Sequence, residues 1–397
     1  MSKTFDNRPY QNDAASLSMK SLLETGKALL VAATGTGKTY IAMLLLKLMG
    51  FVYDDTLVIT PHLAINAQFA QLGLEAVTPQ EAKKRLNQGY CPKILICDEA
   101  HRLVSPMANK TIREFESRGA LILGLTATPD RLDGVSLADT FSQPVYIYGI
   151  RRAIADGMLV PFIPLTPKGV GGLIAEGKLP EGTDLNISTK VYNPKGAKSE
   201  KEDVMSSYIR FIEASKRRSL CFFRTQEEAN LFVKLANEAG VKAIATLAGD
   251  ENEKVFREDS TYLILAGVTK VLEGFDDPSI ESIFGFSPTD SVSRAVQAAG
   301  RGIRRCDEIG KDSCWIKFVP TKSDAGLANK YSVLIEDQTD KFDKGTETAI
   351  NRMIKVGNVP IKTICRIMEG NKSEAIAVGD YTWFYNKNTK AWIEIQA

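Results

Sequence analysis

Short apolar runs alternate with helical patterns along residues 1–150. Unbroken apolar runs between helices are typical of parallel strands that are covered on both faces of a sheet. The predicted strands read LLVAA (29–33), TLVIT (56–60), KILIC (93–97) and ALILGL (120–125), and helical patterns over Lys38–Met49 and His62–Leu72 lie between them. The pattern predicts an α/β lobe over residues 1–150.

A second alternation of the same kind follows after a break. Residues 151–203 are rich in glycine, proline and charge and are predicted as a linker and a lead-in to the next lobe. Over 204–342 the predicted elements are SLCFF (219–223), helix Gln226–Ala239, AIATL (243–247), YLILA (262–266), SIFGF (282–286) and WIKFV (315–319). They predict a second α/β lobe of similar size.

Residues 343–397 have a different pattern and are predicted to form a small C-terminal α+β domain. A helical pair around Ile350–Glu369 would precede a hairpin with the strands YTWFY and AWIEI. Trp383, Tyr385 and Trp392 on this hairpin have two interpretations. They stack on nucleic-acid bases, or they pack a small core of the domain.

Composition narrows the class of protein less than the pattern does. An apolar fraction of 44% and a charged fraction of 25% are typical of a soluble globular protein. A net charge of +2 does not exclude a nucleic-acid partner, because a local positive surface is sufficient to bind one. The chain shows no signal-peptide pattern or membrane span, and its 6 cysteines lack the spacing of a zinc site. We therefore expect a cytoplasmic protein with reduced thiols and no membrane partner.

A glycine-rich loop with a Lys-Thr pair, Ala32–Thr39, lies between the first predicted strand and its helix. In this position glycines let backbone N–H groups face a phosphate, and the positive end of the following helix adds to the attraction. Lys38 can reach the β- and γ-phosphates of a nucleotide, and the Thr39 hydroxyl suits Mg²⁺. The predicted nucleotide contacts of the loop are Thr34, Gly35, Thr36, Gly37, Lys38 and Thr39.

Two carboxylates follow the predicted strand KILIC, in the segment LICDEAH (95–101). Ligands bind at the carboxyl ends of strands in open α/β sheets. Asp98 is therefore predicted to hold Mg²⁺, and Glu99 to activate the water that attacks the γ-phosphate. His101, three residues after Asp98, is predicted to belong to the same site.

The loop and the acidic segment together resemble two motifs of the superfamily 2 helicases, in particular the DNA helicases and translocases with DEAH letters. Ala32 at the first position of the loop fits this family. Further motifs of the first lobe follow in the order that the family shows. The residues that the resemblance implies are Arg8 and Gln11 for the adenine, Thr60, Pro61, His62 and Thr78 for the nucleic acid, and Thr126 and Thr128 for coupling of ATP hydrolysis to motion.

The second alternation carries the remaining motifs of the family. Arg224 and Thr225 have the position of a nucleic-acid contact, and Thr269, Gly274 and Asp276 lie in a segment (267–276) that resembles the motif touching both nucleic acid and nucleotide. The segment 297–304, QAAGRGIR, resembles the motif that supplies arginines to the γ-phosphate. Guanidinium groups suit this role because they stay charged and bind phosphate in a fork. Gln297, Arg301 and Arg304 are the expected catalytic residues of this motif, whereas Arg305 is expected at the surface or in contact with nucleic acid.

The resemblance covers about residues 5–320 and implies two tandem RecA-like lobes that use ATP and Mg²⁺. Thr126-Ala-Thr128 and Gln297 resemble the DNA-acting members, so DNA is favoured over RNA as the partner. We expect an ATP-dependent DNA helicase, with a duplex-DNA translocase or an RNA helicase as the alternatives. A P-loop kinase or GTPase is disfavoured because one lobe would suffice, and a non-enzymatic scaffold because the catalytic residues are present.

Two features of length refine these expectations. Only 37 residues separate Thr60 from Asp98, so we expect a first lobe without the extra strand–helix unit that family members usually carry there. No large insertion interrupts either lobe, and this compactness resembles small bacterial or phage helicases that act on single-stranded, forked or junction DNA. We therefore expect a monomer of a bacterial or phage-infected cell with a role in DNA recombination and repair.

Overall fold

The structure of the protein is a computed structural model. It describes residues 8–61, 69–127, 137–165, 167–184, 187–247, 251–268, 275, 277–286 and 298–319, and three strands over 376–378, 381–386 and 391–396. The chain divides into two compact units, the first ending at Ala153 and the second beginning at Ile154. Outside the described residues lie the predicted helical pair at 350–369 and the site residues His62, Thr128, Thr269, Gly274, Asp276 and Gln297.

The first unit is built on one parallel sheet. Its strands are β1 (Lys27–Ala32), β2 (Thr56–Ile59), β3 (Ala76–Val77), β4 (Ile94–Cys97), β5 (Leu121–Thr126) and β6 (Pro144–Tyr148). They lie in the order β3-β2-β4-β5-β1-β6, and all pairs are parallel. The helices are α1 (Pro9–Thr25), α2 (Lys38–Met49), α3 (Pro79–Asn87), α4 (Pro106–Ser117), α5 (Ala138–Phe141) and α6 (Ile150–Ala155), of which α6 spans the boundary between the units.

The four strands predicted in the first lobe are confirmed, as is the predicted helix α2. Strands β2 and β4 are buried along their whole length, and β1 and β5 at every position except the first. Burial on both faces is the reason that these strands read as continuous apolar runs rather than as alternating patterns. Helix α2 ends at Gly50, whose φ of +67° is the left-handed conformation common after a helix.

A strand–helix unit does lie between Thr60 and Asp98, where the sequence was expected to lack one. Strand β3 pairs with β2 through only two residues, Ala76 and Val77, and α3 follows it directly. The expectation was therefore wrong. A strand of two residues is too short to show a hydrophobic period, so the unit is shortened rather than absent.

The second unit is built on a separate parallel sheet. Its strands are β7 (Phe162–Pro164), β8 (Ser219–Phe223), β9 (Ala243–Ala245), β10 (Ile264–Val268), β11 (Ser282–Gly285) and β12 (Cys314–Phe318). Their order is β7-β12-β11-β8-β10-β9, and all pairs are parallel. The helices are α7 (Pro167–Ala175), α8 (Lys198–Ser215), α9 (Gln226–Glu238) and α10 (Asn252–Glu258). Among the described residues of the chain, no helix has the length and apolar character to cross a membrane.

Residues 151–203 contribute to the core of the second unit, although their sequence was interpreted as a linker and a lead-in. Strand β7 pairs with β12, which lies about 150 residues later in the chain. Leu165, Leu173 and Tyr192 from this segment are buried in the same apolar cluster as Trp315 of β12. The elements here have three to nine residues and are separated by glycine and proline. The hydrophobic pattern is therefore hard to recognise in the sequence, although these elements pack into the core.

The C-terminal region contains a third, antiparallel sheet of strands β13 (Ile376–Val378), β14 (Tyr381–Asn386) and β15 (Ala391–Gln396). Strands β14 and β15 pair from Tyr381↔Gln396 to Asn386↔Ala391, which confirms the predicted hairpin. The chain thus contains the two parallel α/β sheets and the C-terminal strands that the sequence predicts.

Candidate nucleotide-binding site

Five predicted segments follow the carboxyl ends of five neighbouring strands in the first sheet. In the order of the sheet these are Thr78 after β3, Thr60 after β2, Asp98 after β4, Thr126 at the end of β5 and the glycine-rich loop after β1. Carboxyl ends of parallel strands share one edge, where ligands bind in open α/β sheets. The expected nucleic-acid contacts lie at one side of this edge, and the expected nucleotide contacts lie at the other.

The glycine-rich loop has the backbone geometry of a tight turn into a helix. Both the backbone N–H and the hydroxyl of Thr36 donate to the carbonyl of Ala33, at 3.2 and 2.7 Å. Gly35 and Gly37 have φ values of +88° and +86°, in the left-handed region that favours glycine. Helix α2 begins at Lys38, directly after the second glycine. The loop therefore leads directly into the N-terminus of α2, which is the positive end of the helix, as a phosphate-binding loop requires.

Side chains of the loop fit a phosphate and Mg²⁺. Lys38 Nζ lies 3.2 Å from the Ala32 carbonyl, so its ammonium group stays close to the loop. The Thr34 hydroxyl is buried and makes no hydrogen bond to another described residue. The Thr36 hydroxyl is bound to the loop itself, so this residue serves the turn, and the half-buried Thr39 lies in the first turn of α2.

Asp98 and Glu99 form a buried acidic pair next to this loop. Burial raises the pKa of Asp98, the neighbouring Glu99 raises it further, and Lys38 lowers it in part. Glu99 has a φ of +49°, which is uncommon outside glycine and frequent at functional sites. Its Oε2 is buried and makes no hydrogen bond within the described part of the chain. Such a pair fits a divalent cation on Asp98 and a bound water on Glu99.

His101 connects the acidic pair with the end of β5. Its Nδ1 lies 3.0 Å from the hydroxyl of Thr126 and 3.4 Å from Glu99 Oε2. Both His101 and Thr126 are buried. The structure therefore brings together two predicted coupling residues that are 25 positions apart in the sequence.

The expected nucleic-acid contacts differ in their exposure. Thr60 is fully buried, so its side chain cannot touch a bound strand in this conformation, whereas Arg224 is exposed. Thr78 and Thr225 cap the helices α3 and α9, where their hydroxyls accept from the N–H groups of Glu81 and Glu228 at 3.4 and 3.3 Å. Both capped helix N-termini offer N–H groups and a positive dipole to a phosphate.

The arginines of the second unit have different surroundings. The Arg301 guanidinium donates to the carbonyl of Phe275, and Arg304 is half-buried and pairs through its backbone with Leu159. Burial lowers the pKa of Arg304 to about 10. Arg305 bonds Asp307 and the Gly157 carbonyl and is more than half exposed, which agrees with a surface position.

Sequence reasoning missed four residues that support these sites. Tyr10 and Tyr148 stack their rings beside the loop, with centroids 3.9 Å apart. Buried Glu228 accepts from the Tyr192 hydroxyl at 2.9 Å and from the backbone N–H of Thr225 at 3.3 Å. The position of Tyr10 beside Gln11 was a usable signal, but no local pattern marks Tyr148 or Tyr192.

Comparison with known proteins connects this architecture to a family. Residues 4–90 and 75–131 match the family described as the res subunit of type III restriction enzymes. The chain is 28% identical over 232 residues to a subunit of the type I restriction enzyme EcoAI from Escherichia coli, with 47% of this chain and 28% of that protein covered. It is 27% identical over 352 residues to a Schizosaccharomyces pombe protein described as a mitochondrial ATP-dependent helicase, with 78% and 56% covered. The chain thus spans about half the length of these relatives or less.

Solved structures agree on the fold. A fragment described as the HsdR subunit of a type I restriction enzyme from Vibrio vulnificus superposes with a TM-score of 0.58 at 20% identity, covering 85% of this chain and 67% of that one. At this identity the likeness shows a shared fold. The predicted resemblance to superfamily 2 helicases is confirmed at the level of the superfamily, and the DEAH subtype stays a prediction.

Proposed function

We propose that this protein is an ATP-dependent DNA helicase that couples ATP hydrolysis to movement along DNA and to its unwinding or remodelling, with forked or junction DNA as the preferred substrate. One observation carries the proposal. A single sheet edge places the glycine-rich loop, the acidic pair and the His101–Thr126 contact beside the capped helix α3. Such an edge is suited to bind a nucleotide and a nucleic-acid strand at once.

The chemistry follows from the residues of this edge. The N–H groups of the loop and Lys38 bind the phosphates of ATP. Thr39 and Asp98 would hold Mg²⁺, which would neutralise charge on the phosphates. Glu99, whose Oε2 makes no hydrogen bond to another described residue, orients and deprotonates the attacking water. Arg301 and Arg304 stabilise the charge that develops on the γ-phosphate, with Gln297, Gly274 and Asp276 as further contacts.

Nucleic acid is held through its phosphates. The N-termini of α3 and α9, with Thr78, Arg224, Thr225 and Thr269, supply the contacts. Contacts of this kind carry no sequence information, so we expect weak sequence preference and a steep dependence on salt.

A duplex-DNA translocase without strand separation is the second candidate. The similarity to proteins described as restriction-enzyme subunits favours it. These relatives also favour DNA over RNA as the partner. A role in recombination and repair, a monomeric state and a cytoplasmic location belong to the proposal in either case.

The first experiment is steady-state ATP hydrolysis without nucleic acid and with single-stranded, duplex, forked or junction DNA, or RNA. Glu99→Gln is expected to lower kcat by roughly 10²–10⁴-fold, because the general base is lost. ATP binding should persist in this variant. The exposed Glu24→Gln is the matched control and should behave as wild type.

The pattern of stimulation separates the candidates. Stimulation by forked or junction DNA, abolished by Glu99→Gln, supports the remodelling helicase. Stimulation by plain duplex without strand separation supports the translocase. Hydrolysis that is indifferent to every nucleic acid would contradict the motor function and leave only an ATPase.

A further inference from the structure

Two side chains from the first turn of α1 converge on one carbonyl group of the glycine-rich loop. The Tyr10 hydroxyl donates to the Thr36 carbonyl at 2.6 Å. The Gln11 amide Nε2 lies 3.4 Å from the same oxygen and 3.3 Å from the Tyr10 hydroxyl. Tyr10 and Gln11 are only 5% and 4% exposed, so the contacts are shielded from water. A hydroxyl that accepts one hydrogen bond while it donates another makes a stronger donor.

The Thr36 carbonyl belongs to the peptide group that also contains the N–H of Gly37. A trans peptide is planar, so its carbonyl and its N–H point in opposite directions. When Tyr10 holds the carbonyl toward α1, the Gly37 N–H must point away from α1. This N–H is one of the donors that a phosphate-binding loop offers to its ligand. The Tyr10 hydroxyl therefore sets the direction of a phosphate donor that it does not touch.

Tyr10 is itself held in place by β6. Its ring stacks on that of Tyr148 with an interplanar angle of 4°, and the Arg152 guanidinium lies 5.4 Å from the Tyr148 ring. The backbone of Tyr148 also accepts from the N–H of Ala33 at 2.9 Å, at the start of the loop. The tyrosine pair thus joins α1, β6 and the loop into one rigid assembly.

The Gln11 amide contacts the same assembly. Its Oε1 lies 3.3 Å from the backbone N–H of Arg8, and its Nε2 faces the two oxygen atoms already named. These two oxygens are 2.6 Å apart, so one N–H group of the amide points toward both of them. A Cβ atom at Gly37 would come within 2.9 Å of Gln11 Nε2, so the glycine permits the close approach.

We propose that Tyr10 is a positioning residue for the phosphate loop, and that Gln11 supports it through the same carbonyl group. The phosphates of the nucleotide are the ligand groups that the Gly37 N–H would contact, so the contribution is the same for any nucleoside triphosphate. The inference rests on the proposed function, since it assumes that a nucleotide binds at this loop.

The test is Tyr10→Phe, which removes the hydroxyl and keeps the stacked ring. The dissociation constants for ATP and for inorganic tripolyphosphate, each with Mg²⁺, are measured by calorimetry, and kcat and KM for ATP are measured in parallel. Loss of one buried hydrogen bond predicts a roughly three- to tenfold weaker binding of both ligands. We expect KM for ATP to rise by a similar factor while kcat stays within about twofold, because the groups that act in the chemical step remain.

Two further variants keep the inference open to contradiction. Tyr53→Phe makes the same chemical change at a half-exposed residue and should bind both ligands as wild type does. Gln11→Met removes the second donor to the Thr36 carbonyl and should weaken the binding of tripolyphosphate as well as that of ATP. A loss confined to ATP would show that Gln11 does not support the loop and would overturn its assignment. Wild-type affinities in Tyr10→Phe would overturn the role of Tyr10, whereas a wild-type protein that binds neither ligand would contradict the proposed function itself.

Discussion

The two units differ in the charges that they bury. In the first unit the buried charge near the loop is acidic, and burial beside Glu99 raises the pKa of Asp98. The second unit buries both signs, with the carboxylates Glu228 and Asp277 and the cations Lys311 and Lys317. Burial lowers the pKa of Arg304 to about 10 and of Lys317 to about 8, and also lowers that of Lys311. Incompletely compensated buried charge is costly, so a buried charged group either has partners in the chain or favours the binding of an ion of the opposite sign.

The partners of each charge decide its use. Lys311 donates to the carbonyls of Pro278 and Ile280 and thereby holds the segment between β10 and β11. Arg218 donates to the Phe256 carbonyl at 2.6 Å and lies 3.5 Å from Asp277 Oδ2, next to the same segment. These two cations are used by the chain itself. A buried charge therefore indicates a ligand site only where the protein does not already supply its partners.

The largest expected effect comes from Arg304→Lys, which keeps the charge and removes the forked donor set. If Arg304 acts on the γ-phosphate, kcat should fall by roughly 10³-fold or more, because a lysine does not replace a bidentate arginine. ATP affinity should change little. Arg305→Lys is the matched control, since Arg305 is more than half exposed and bonded to Asp307. Equal effects of both variants on ATPase kinetics would remove Arg304 from the catalytic set.

An intermediate effect is expected when a carboxylate is placed at a predicted phosphate contact. Thr225→Asp keeps a good helix cap on α9 and adds a negative charge where a nucleic-acid phosphate is expected. DNA affinity, measured by fluorescence anisotropy, should fall roughly tenfold because like charges near a protein surface repel by about 1 kcal/mol or more. The midpoint temperature of thermal unfolding should not change. Ser105→Asp at the cap of α4 is the control. An equal loss of DNA affinity in this variant would mean that any added negative charge weakens binding, whatever its position.

The smallest expected effect concerns stability, through Lys317→Met. Lys317 lies on β12 and is 5% exposed. Burial lowers its pKa from 10.5 to about 8, so the charged ammonium costs folding free energy. The folded-state pKa is depressed, so this cost is present in full below about pH 8 and is lost as pH rises toward 10.5. The variant should therefore melt a few degrees higher at pH 7, with a smaller gain at pH 9.5.

The control for Lys317→Met is the same substitution at an exposed lysine. Lys234→Met on α9 removes a side chain that is 69% exposed and should leave the thermal midpoint unchanged at both pH values. An unchanged midpoint in Lys317→Met would show that the buried ammonium has a compensating partner. Lys317 would then resemble Lys311 and Arg218, whose charged groups are hydrogen-bonded within the chain.

Predictions from the sequence succeeded where neighbouring residues carry the information. The strand at 219–223 has the predicted bounds, and helix α2 begins at the predicted Lys38. The strand predicted at 262–266 instead runs over Ile264–Val268, and Tyr262, which lies before the strand, packs its ring against the Lys242 ammonium at 4.2 Å. Boundaries depend on such contacts between distant residues, which a local pattern does not show.

The sequence by itself determined the two α/β sheets and the residue types of the nucleotide site, because a run of apolar residues or a glycine-rich turn acts through its immediate neighbours. Only the tertiary structure decided the strand orders, the packing of 151–203 into the second unit and the contact between His101 and Thr126. It also decided that Tyr10 and Gln11 meet the Thr36 carbonyl. These arrangements join residues 18 or more positions apart, and their geometry follows from how strands and helices pack rather than from any local period.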